Sequence, residues 1–505
     1  MSDLNLSSLP GTFNKQFLGT SKPLNNKFLT DWKSYKLGPY YFYIHPNQDV
    51  TYVHEGEISL LLIGNLYDYR NPQWNNNDIL NSILNLKASS GVLNELFHFT
   101  GEYVIAFQVK EQVTLANDAS ALMEVYYSSD FSAFGSQPNL LSEIMNLEVD
   151  TNQTAANFYN SKAFNERKFY LTYKTEFSNL LHLKPNYALL LNEKRVNRFY
   201  PNTAIAPQDI KQNARKMCTI LSGYMKSVSL RKQSSGGIGV PITAGWDSRI
   251  LLAATIHAEA LNVRYFTIKH DSMSNEHQDI KVAKKIASQL KINLEILTYE
   301  NTIPDNINKT FKDSLAHNRS QSNASIYQTL YKEFEVKDTT IINGNVSEIA
   351  RSFYPNIIKL NGKDIALLYG YPNEKYAIDA YNQWLNDNNI TFRQLNYNTM
   401  DMFYWEERVG NWFAKMKSAY LLFSDHFSPF NSRILLHTAL ASKRKERDAH
   451  FNILYKEILS VLSEDLNEIP INPSPKTKII KFMKQAKFYP IYQNIGIKTG
   501  LLKFN

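Results

Sequence analysis

The sequence predicts a two-domain α/β chain. A layered antiparallel β-sheet domain comes first, and a doubly wound parallel-sheet domain with added helices follows. Three observations carry this. Up to about residue 200 the apolar stretches are short and rich in aromatic and branched residues, as in Tyr40-Tyr41-Phe42-Tyr43-Ile44. Beyond 201–208, which holds Pro201 and Pro207 and reads as a linker, strands alternate with amphipathic helices. That alternation is the pattern of right-handed parallel crossovers. Finally, at 238–249 a short apolar strand passes through a small-residue loop into an apolar helix. The boundaries are therefore 1–200, the linker 201–208, and 209–505.

In chain order, residues 40–44, 58–63, 103–109 and 112–116 read as strands, and 78–86 as a short helix. Segments 187–191 and 196–200 form a hairpin about Asn192-Glu193-Lys194-Arg195. In the second domain a helix is expected over 209–232, followed by the strand–loop–helix at 238–249. Strands follow at 263–268, 294–297 and 339–342. Between the first two of these lies a helix over 278–290, with Ile280, Val282, Ala283, Ile286 and Ala287 on one face. Residues 370–470 read as mostly helical. No internal repeat is present.

The chain of 505 residues is 43% hydrophobic, enough for sizeable cores. No run of 18 uncharged apolar residues occurs, so no transmembrane helix is expected. Residues 1–6 lack the basic and apolar regions of a signal peptide. The single cysteine, Cys218, excludes an internal disulfide and argues against a Cys-based metal site. It sits in a helical stretch and is expected in the core. Cytoplasmic location follows as the default. A net charge of +8 on so long a chain reads as solvated surface. No basic block interleaved with aromatics precedes the C-terminal tail, so no nucleic-acid partner is expected. The tail from Lys476 to Lys503 is basic and aromatic. It reads first as a terminal helix packed on its own domain, and second as a peripheral contact with an anionic membrane.

The chemistry concentrates at Thr243-Ala244-Gly245-Trp246-Asp247-Ser248. A helix N-terminus carries partial positive charge and unpaired N–H groups, which suit an anion. Gly245 lets backbone approach a phosphate, and Thr243 and Ser248 add hydroxyls. Asp247 would repel a phosphate unless a cation lay between them. Mg²⁺ binds carboxylate and phosphate oxygens together, so the predicted ligand is a Mg-nucleotide or Mg-pyrophosphate. The competing reading is an ordinary strand–helix turn. A second carboxylate, Glu348, follows the strand Ile341-Ile342 within Asn343-Gly344-Asn345-Val346-Ser347-Glu348. It either completes the Mg²⁺ site or pairs with Arg351 on the surface.

The loop resembles the pyrophosphate loop of N-type ATP pyrophosphatases, S-G-G-x-D-S, with Thr243 and Ala244 as mild departures. Together with three further stretches it makes the chain resemble the asparagine synthetase superfamily. Gly64-Asn65-Leu66-Tyr67-Asp68 is similar to the family's N-G-E-I-Y-N. Gly101-Glu102-Tyr103-Val104-Ile105-Ala106, then Ala116-Asn117-Asp118 through Tyr126-Tyr127, resembles its G-x-F-A, A-R-D and L-Y-Y strands. Gly344 to Glu348 resembles G-D-G-A-D. Asp279 resembles the acidic residue opening the family's next helix. The resemblance implies an N-terminal Ntn-type glutaminase-like domain and a C-terminal PP-loop domain of the adenine nucleotide alpha hydrolase-like kind. Ser2 stands where the family has its Cys nucleophile, Gly64-Asn65 reverses the oxyanion pair, and Asn117 replaces Arg. These departures imply lost glutaminase chemistry, as in the β-lactam synthetase and lasso-peptide cyclase branch.

The implied reaction is adenylation of a carboxylate by ATP, release of pyrophosphate, and displacement of AMP by an amine or ammonia. The resemblance assigns Thr243, Ala244, Gly245, Trp246, Asp247, Ser248 and Gly344 to ATP and pyrophosphate, with Thr267 near the adenosine. It assigns Asp247 and Glu348 to Mg²⁺, and Lys456 or Lys443 to the catalytic lysine. Glu406, Glu407 and Arg408 line an acceptor pocket or form a surface ion pair. Pro429-Phe430-Asn431-Ser432 resembles the family's R-x-P-F-L-D, with Ser432 replacing its acid. The carboxylate substrate is a small molecule, peptide or glycan, which suits natural-product or surface-polysaccharide biosynthesis. The alternatives are an ammonia-dependent asparagine synthetase, a tRNA-binding PP-loop protein and an inactive scaffold.

Overall fold

Strand Ile58–Gly64 shows how the N-terminal domain is layered. Leu61 and Ile63 enter one core with Phe42, Val104, Ala106 and Leu115. Leu60 and Leu62, on the opposite face, pack against Ile79, Leu80 and Ile83 of helix Asn76–Leu84. Side chains of a strand alternate, so a continuous apolar run is buried on both faces. The computed structural model describes residues 11–86, 88–299, 305–316, 324–354, 360–449 and 451–472. Ser2 and the tail from Lys476 lie outside them.

Two six-stranded sheets face each other across that first core. One runs Leu180–His182, Tyr126–Ser128, Ala133–Gly135, Phe17–Thr20, Tyr40–Ile44, Lys33–Leu37. The other runs Arg195–Arg198, Tyr187–Leu190, Gln112–Asn117, Tyr103–Val109, Ile58–Gly64, Val50–Glu55. Their strand pairings are antiparallel, and the hairpin expected at 187–200 is present. The domain is thus the layered antiparallel one the sequence predicts.

The second domain opens on helix α1 (Ile210–Lys232), capped by the Asp209 carboxylate. Cys218 lies buried in it, its thiol pushed up to about 12 by burial. The five strands are β1 (Ile238–Pro241), β2 (Val263–His270), β3 (Leu294–Tyr299), β4 (Thr340–Ile342) and β5 (His426–Phe427). They form one parallel sheet in the order β3-β2-β1-β4-β5. Helix α2 (Trp246–His257) follows β1, and α3 (Gln278–Leu290) follows β2, as read from the sequence. The order reverses between β1 and β4. Such a switch point opens a crevice beyond the carboxyl ends of the strands, where ligands of this architecture bind. Strand β5 is a two-residue piece inside the segment expected to be helical.

Buried polar contacts join the domains. Thr100 Oγ1 lies within hydrogen-bond reach of the Ser428 and Asn431 carbonyls, and Asn431 Nδ2 donates to the Gly101 carbonyl at 2.7 Å. Ser432 meets Tyr224 at 2.8 Å within this packing. Arg198 reaches Glu406 at 2.5 and 2.8 Å. Glu406 and Glu407 are buried, so their expected surface ion pair is replaced by pairing across the domains. Breaking a buried pair strands a charge. Arg198→Met is expected to cost about 3–5 kcal/mol in chemical denaturation; a loss below about 1 kcal/mol would mean the pair is solvated.

Candidate active site

Loop 242–248 leaves β1 at the switch point. Gly245, in extended conformation, precedes α2, and no side chain caps the first turn of that helix. Its first N–H groups have no intrahelical partners, and they gather at the mouth of the crevice. Thr243 Oγ1 and Ser248 Oγ lie 2.7 Å apart, and the Gly245 N–H donates to Thr243 Oγ1 at 3.3 Å. Thr243 is exposed, whereas Ala244 and Trp246 are buried. Ala244 and Trp246 anchor the loop, and Thr243 faces outward.

The turn after β4 comes directly alongside. Ser347 Oγ donates to Asp247 Oδ1. Arg351 Nη2 donates to Asp247 Oδ2 at 3.0 Å and lies 3.4 Å from Glu348 Oε1. One guanidinium nitrogen thus sits between the two carboxylates predicted to hold the metal. A Cβ on Gly344 would lie 2.9 Å from Asp247 Cβ, so this approach of the two loops needs glycine. Val346, the third residue of the stretch resembling G-D-G-A-D, has φ +78° where the pattern carries its second glycine. A branched residue there is strained, by about 1–3 kcal/mol. Tyr455 donates to the Ser347 carbonyl at 2.9 Å and packs edge-on to Trp246, holding the turn against α2.

Burial, then the neighbouring Asp247 charge, push the Glu348 carboxyl up to about 7. Burial alone would lower the Arg351 guanidinium; Asp247 and Glu348 outweigh it and raise it. These groups suit a cation. Two hard carboxylates converge on one positive centre, the Arg351 guanidinium, and one of them, Glu348, is pushed towards neutrality by burial and then by the other's charge. No group of three or more His, Cys, Asp or Glu able to hold a metal occurs among the described residues. Two carboxylates alone would fit Mg²⁺, which takes one or two protein carboxylates and completes its shell with phosphate and water.

Thr243, Gly245, Asp247, Ser248, Gly344 and Glu348 are brought together. Thr267 is level with Ile242, just past the end of β1, but its own strand runs on to His270. Asp279 opens α3 as expected and is half-buried. Lys456 and Lys443 are exposed, and neither side chain makes a hydrogen bond or ion pair among the described residues. In helix Ile453–Leu462 the buried positions are 454, 455, 458, 459 and 462. That stripe turns Tyr455 to the site and Lys456 to solvent. The same periodicity in the sequence could have singled out Tyr455. Arg351, three residues past Glu348, keeps the pairing the sequence offered and adds Asp247, whereas Ser347 lies inside the acidic stretch and only its hydroxyl hints at its part.

The predicted glutaminase region is a polar cavity of about 960 Å³, lined among others by Asp49, Gly64, Asn65 and Glu102. Two of these are already engaged. Asn65 donates to Asp49 at 2.8 Å and accepts from Asn76 at 3.0 Å. Glu102 pairs at 3.0 Å with Lys417, which reaches across from the second domain.

No family model and no curated protein matches the chain. Among solved structures it is similar to an NH3-dependent NAD synthetase from Campylobacter jejuni (16% identity, 39% of this chain and 81% of that one, TM-score 0.20). It is also similar to a glutamine-dependent NAD+ synthetase from Acinetobacter baumannii (11%, 49% and 52%, 0.19). A third likeness is to a glutamine phosphoribosylpyrophosphate amidotransferase from B. subtilis (12%, 59% and 87%, 0.22). Likenesses at such scores carry no weight for activity.

Proposed function

We propose that this chain is an ATP-dependent, amide-forming ligase of the asparagine synthetase-like kind. It would adenylate a substrate carboxylate and pass the acyl group to an amine or ammonia. One observation carries this reading: Asp247 and Glu348, from the two loops at the switch point, converge beside an uncapped helix N-terminus. The α2 N–H groups, Thr243 and Ser248 would bind the pyrophosphate portion of ATP. Gly344 keeps the second loop close, and Tyr455 fixes its Ser347 turn. Mg²⁺, held by Asp247 and Glu348, would neutralise charge on the leaving pyrophosphate. The protein's part is positioning and preorganised charge. The carboxylate is a small molecule, peptide or glycan, and the location cytoplasmic; no helix among the described residues is long and apolar enough to cross a membrane.

The engaged Asn65 and Glu102 favour a glutaminase domain that has lost its chemistry. Glutamine is expected to yield no glutamate, and a steady glutamate release would overturn that. The main test is Mg²⁺-dependent ATP–pyrophosphate exchange across aspartate, other amino acids, peptides and uronic-acid nucleotide sugars. Exchange dependent on one carboxylate establishes adenylation and names the substrate class. Absence of both exchange and Mg²⁺-dependent ATP binding sinks the ligase reading.

Metal binding should depend on pH. The Glu348 pKa is raised in the folded state, so its contribution to stability is fully present below the unfolded value near 4.5. That contribution is lost as pH rises through about 7. Mg²⁺ must displace this proton. Apparent Mg²⁺ affinity is therefore expected to fall about tenfold per pH unit below 7. Calorimetry at pH 6.5 in buffers of differing ionisation enthalpy should show proton release. No release would remove Glu348 from the site.

A further inference from the structure

A second cavity, of about 520 Å³, opens where both N-terminal sheets end. It lies between edge strand Leu180–His182, the hairpin ending in Arg195–Arg198, helix Lys375–Gln394 and the π-helix Tyr404–Phe413. No residue of the Asp247–Glu348 site lines it. Tyr127, Tyr173, Leu181, Tyr187, Val196 and Trp384 supply apolar surface. The volume is that of a small-molecule site.

Its inner groups are charged and incompletely partnered. Lys184 is 6% exposed and Glu407 0%. Lys184 Nζ lies 3.5 Å from Glu407 Oε2, an ion-pair contact too long to satisfy its donors, and it makes no hydrogen bond among the described residues. Glu407 Oε2 accepts the Thr172 N–H at 3.0 Å, while Oε1 has no partner there. Neither ring nitrogen of the buried His182 makes a hydrogen bond among the described residues, its Nε2 lying 3.6 Å from Glu124 Oε1. The adjacent Arg198 is by contrast engaged through both terminal nitrogens, donating to Glu406, Tyr187, Asn388 and the Tyr200 carbonyl. A free donor and a free acceptor therefore remain together, next to an aromatic wall.

Unmet buried donors and acceptors are costly, and a ligand meeting only one would leave the other stranded. Burial acts in the same sense, lowering Lys184 and pushing Glu407 up to about 7. A ligand with both charges balances both residues at once. We propose that this cavity binds a free α-amino acid with an apolar side chain. Its carboxylate meets Lys184 Nζ, its ammonium meets Glu407 Oε1, and its side chain lies on the tyrosines and Trp384. This site does not depend on the ATP reading.

The test is calorimetric titration of the full chain with each standard amino acid, without ATP or Mg²⁺. The N-acetyl and carboxamide derivatives of any binder follow. An apolar amino acid is expected to bind, and each derivative to bind at least about tenfold more weakly. Lys184→Met removes the ammonium. Val196→Trp, at a rim position 37% exposed, fills the apolar side and leaves the buried charges alone. Both should weaken binding by at least about tenfold, and Asp247→Asn should leave it unchanged. If Lys184→Met does not fold, Val196→Trp decides. No binding by any amino acid at about 10 mM overturns the proposal. So does affinity untouched by Val196→Trp, or equal affinity for the blocked derivatives.

Discussion

Asp247→Asn is expected to lower ATP–pyrophosphate exchange by at least about a thousandfold, roughly 4 kcal/mol of transition-state stabilisation. The substitution preserves shape. An asparagine oxygen can still accept the Ser347 hydroxyl, and the α2 backbone is unaltered, whereas the amide nitrogen cannot accept from Arg351 as Oδ2 does. What disappears is one of two negative charges that would hold Mg²⁺ between protein and pyrophosphate. Its effect on the Glu348 carboxyl should run the other way. Asp247 is, after burial, the largest cause raising the Glu348 pKa. Without it the carboxyl titrates closer to its ordinary value, and the stability lost as pH rises through about 7 shrinks. Against this stands the lost ion pair with Arg351, so the readout is the pH dependence: the fall in the variant's melting temperature between about pH 5 and pH 8 should be smaller than the wild type's. An unchanged pH dependence would mean that Asp247 does not act on Glu348. Retained exchange would mean that the carboxylate holds no catalytic metal.

Much of this site was legible because its signals are local. The strand, small-residue loop and helix at 238–249 announce themselves, and a second acidic turn follows another strand. The short continuous apolar run in Ile58–Gly64 did the same for a strand buried on both faces. The parts that escaped depend on distant partners or broken periodicity. Glu406, Glu407 and Arg408 read as the lining of an acceptor pocket or as a surface ion pair, and neither reading put them between the domains, since such residues are seldom buried without a partner. Their partners Arg198 and Lys184 lie more than two hundred residues away. The ten-residue π-helix that carries them does not follow the 3.6-residue period, so no helical pattern could place its faces. Strand β5 owes its pairing to β4 alone and has only two residues in which to show a pattern.

Gly344→Ala is the other substitution expected to be severe, and it tests the meeting of the two loops rather than a charge. The added Cβ would lie 2.9 Å from Asp247 Cβ, 3.2 Å from the Asp247 carbonyl carbon and 3.4 Å from the Ser248 nitrogen. None of these atoms is the far end of a flexible side chain. The first turn of α2 or the 343–348 turn must therefore move as a unit. The second is pinned by Tyr455 on the Ser347 carbonyl and by the Asn343 N–H on the Phe427 carbonyl at 2.8 Å. Overpacking of this kind costs about 1–3 kcal/mol. Displacement of a catalytic pair by about 1 Å can cost about a hundredfold in rate. Exchange should fall by about that factor, with the loss partly restored by raised Mg²⁺, because separated carboxylates still attract the ion. Gly245→Ala is the control: its Cβ would meet only Thr243 Oγ1 at 3.5 Å, so the fold should tolerate it. Its methyl group would instead stand where pyrophosphate approaches, raising the KM for ATP without altering the dependence on Mg²⁺. Should Gly344→Ala keep full exchange at low Mg²⁺, the two carboxylates do not act as one metal site.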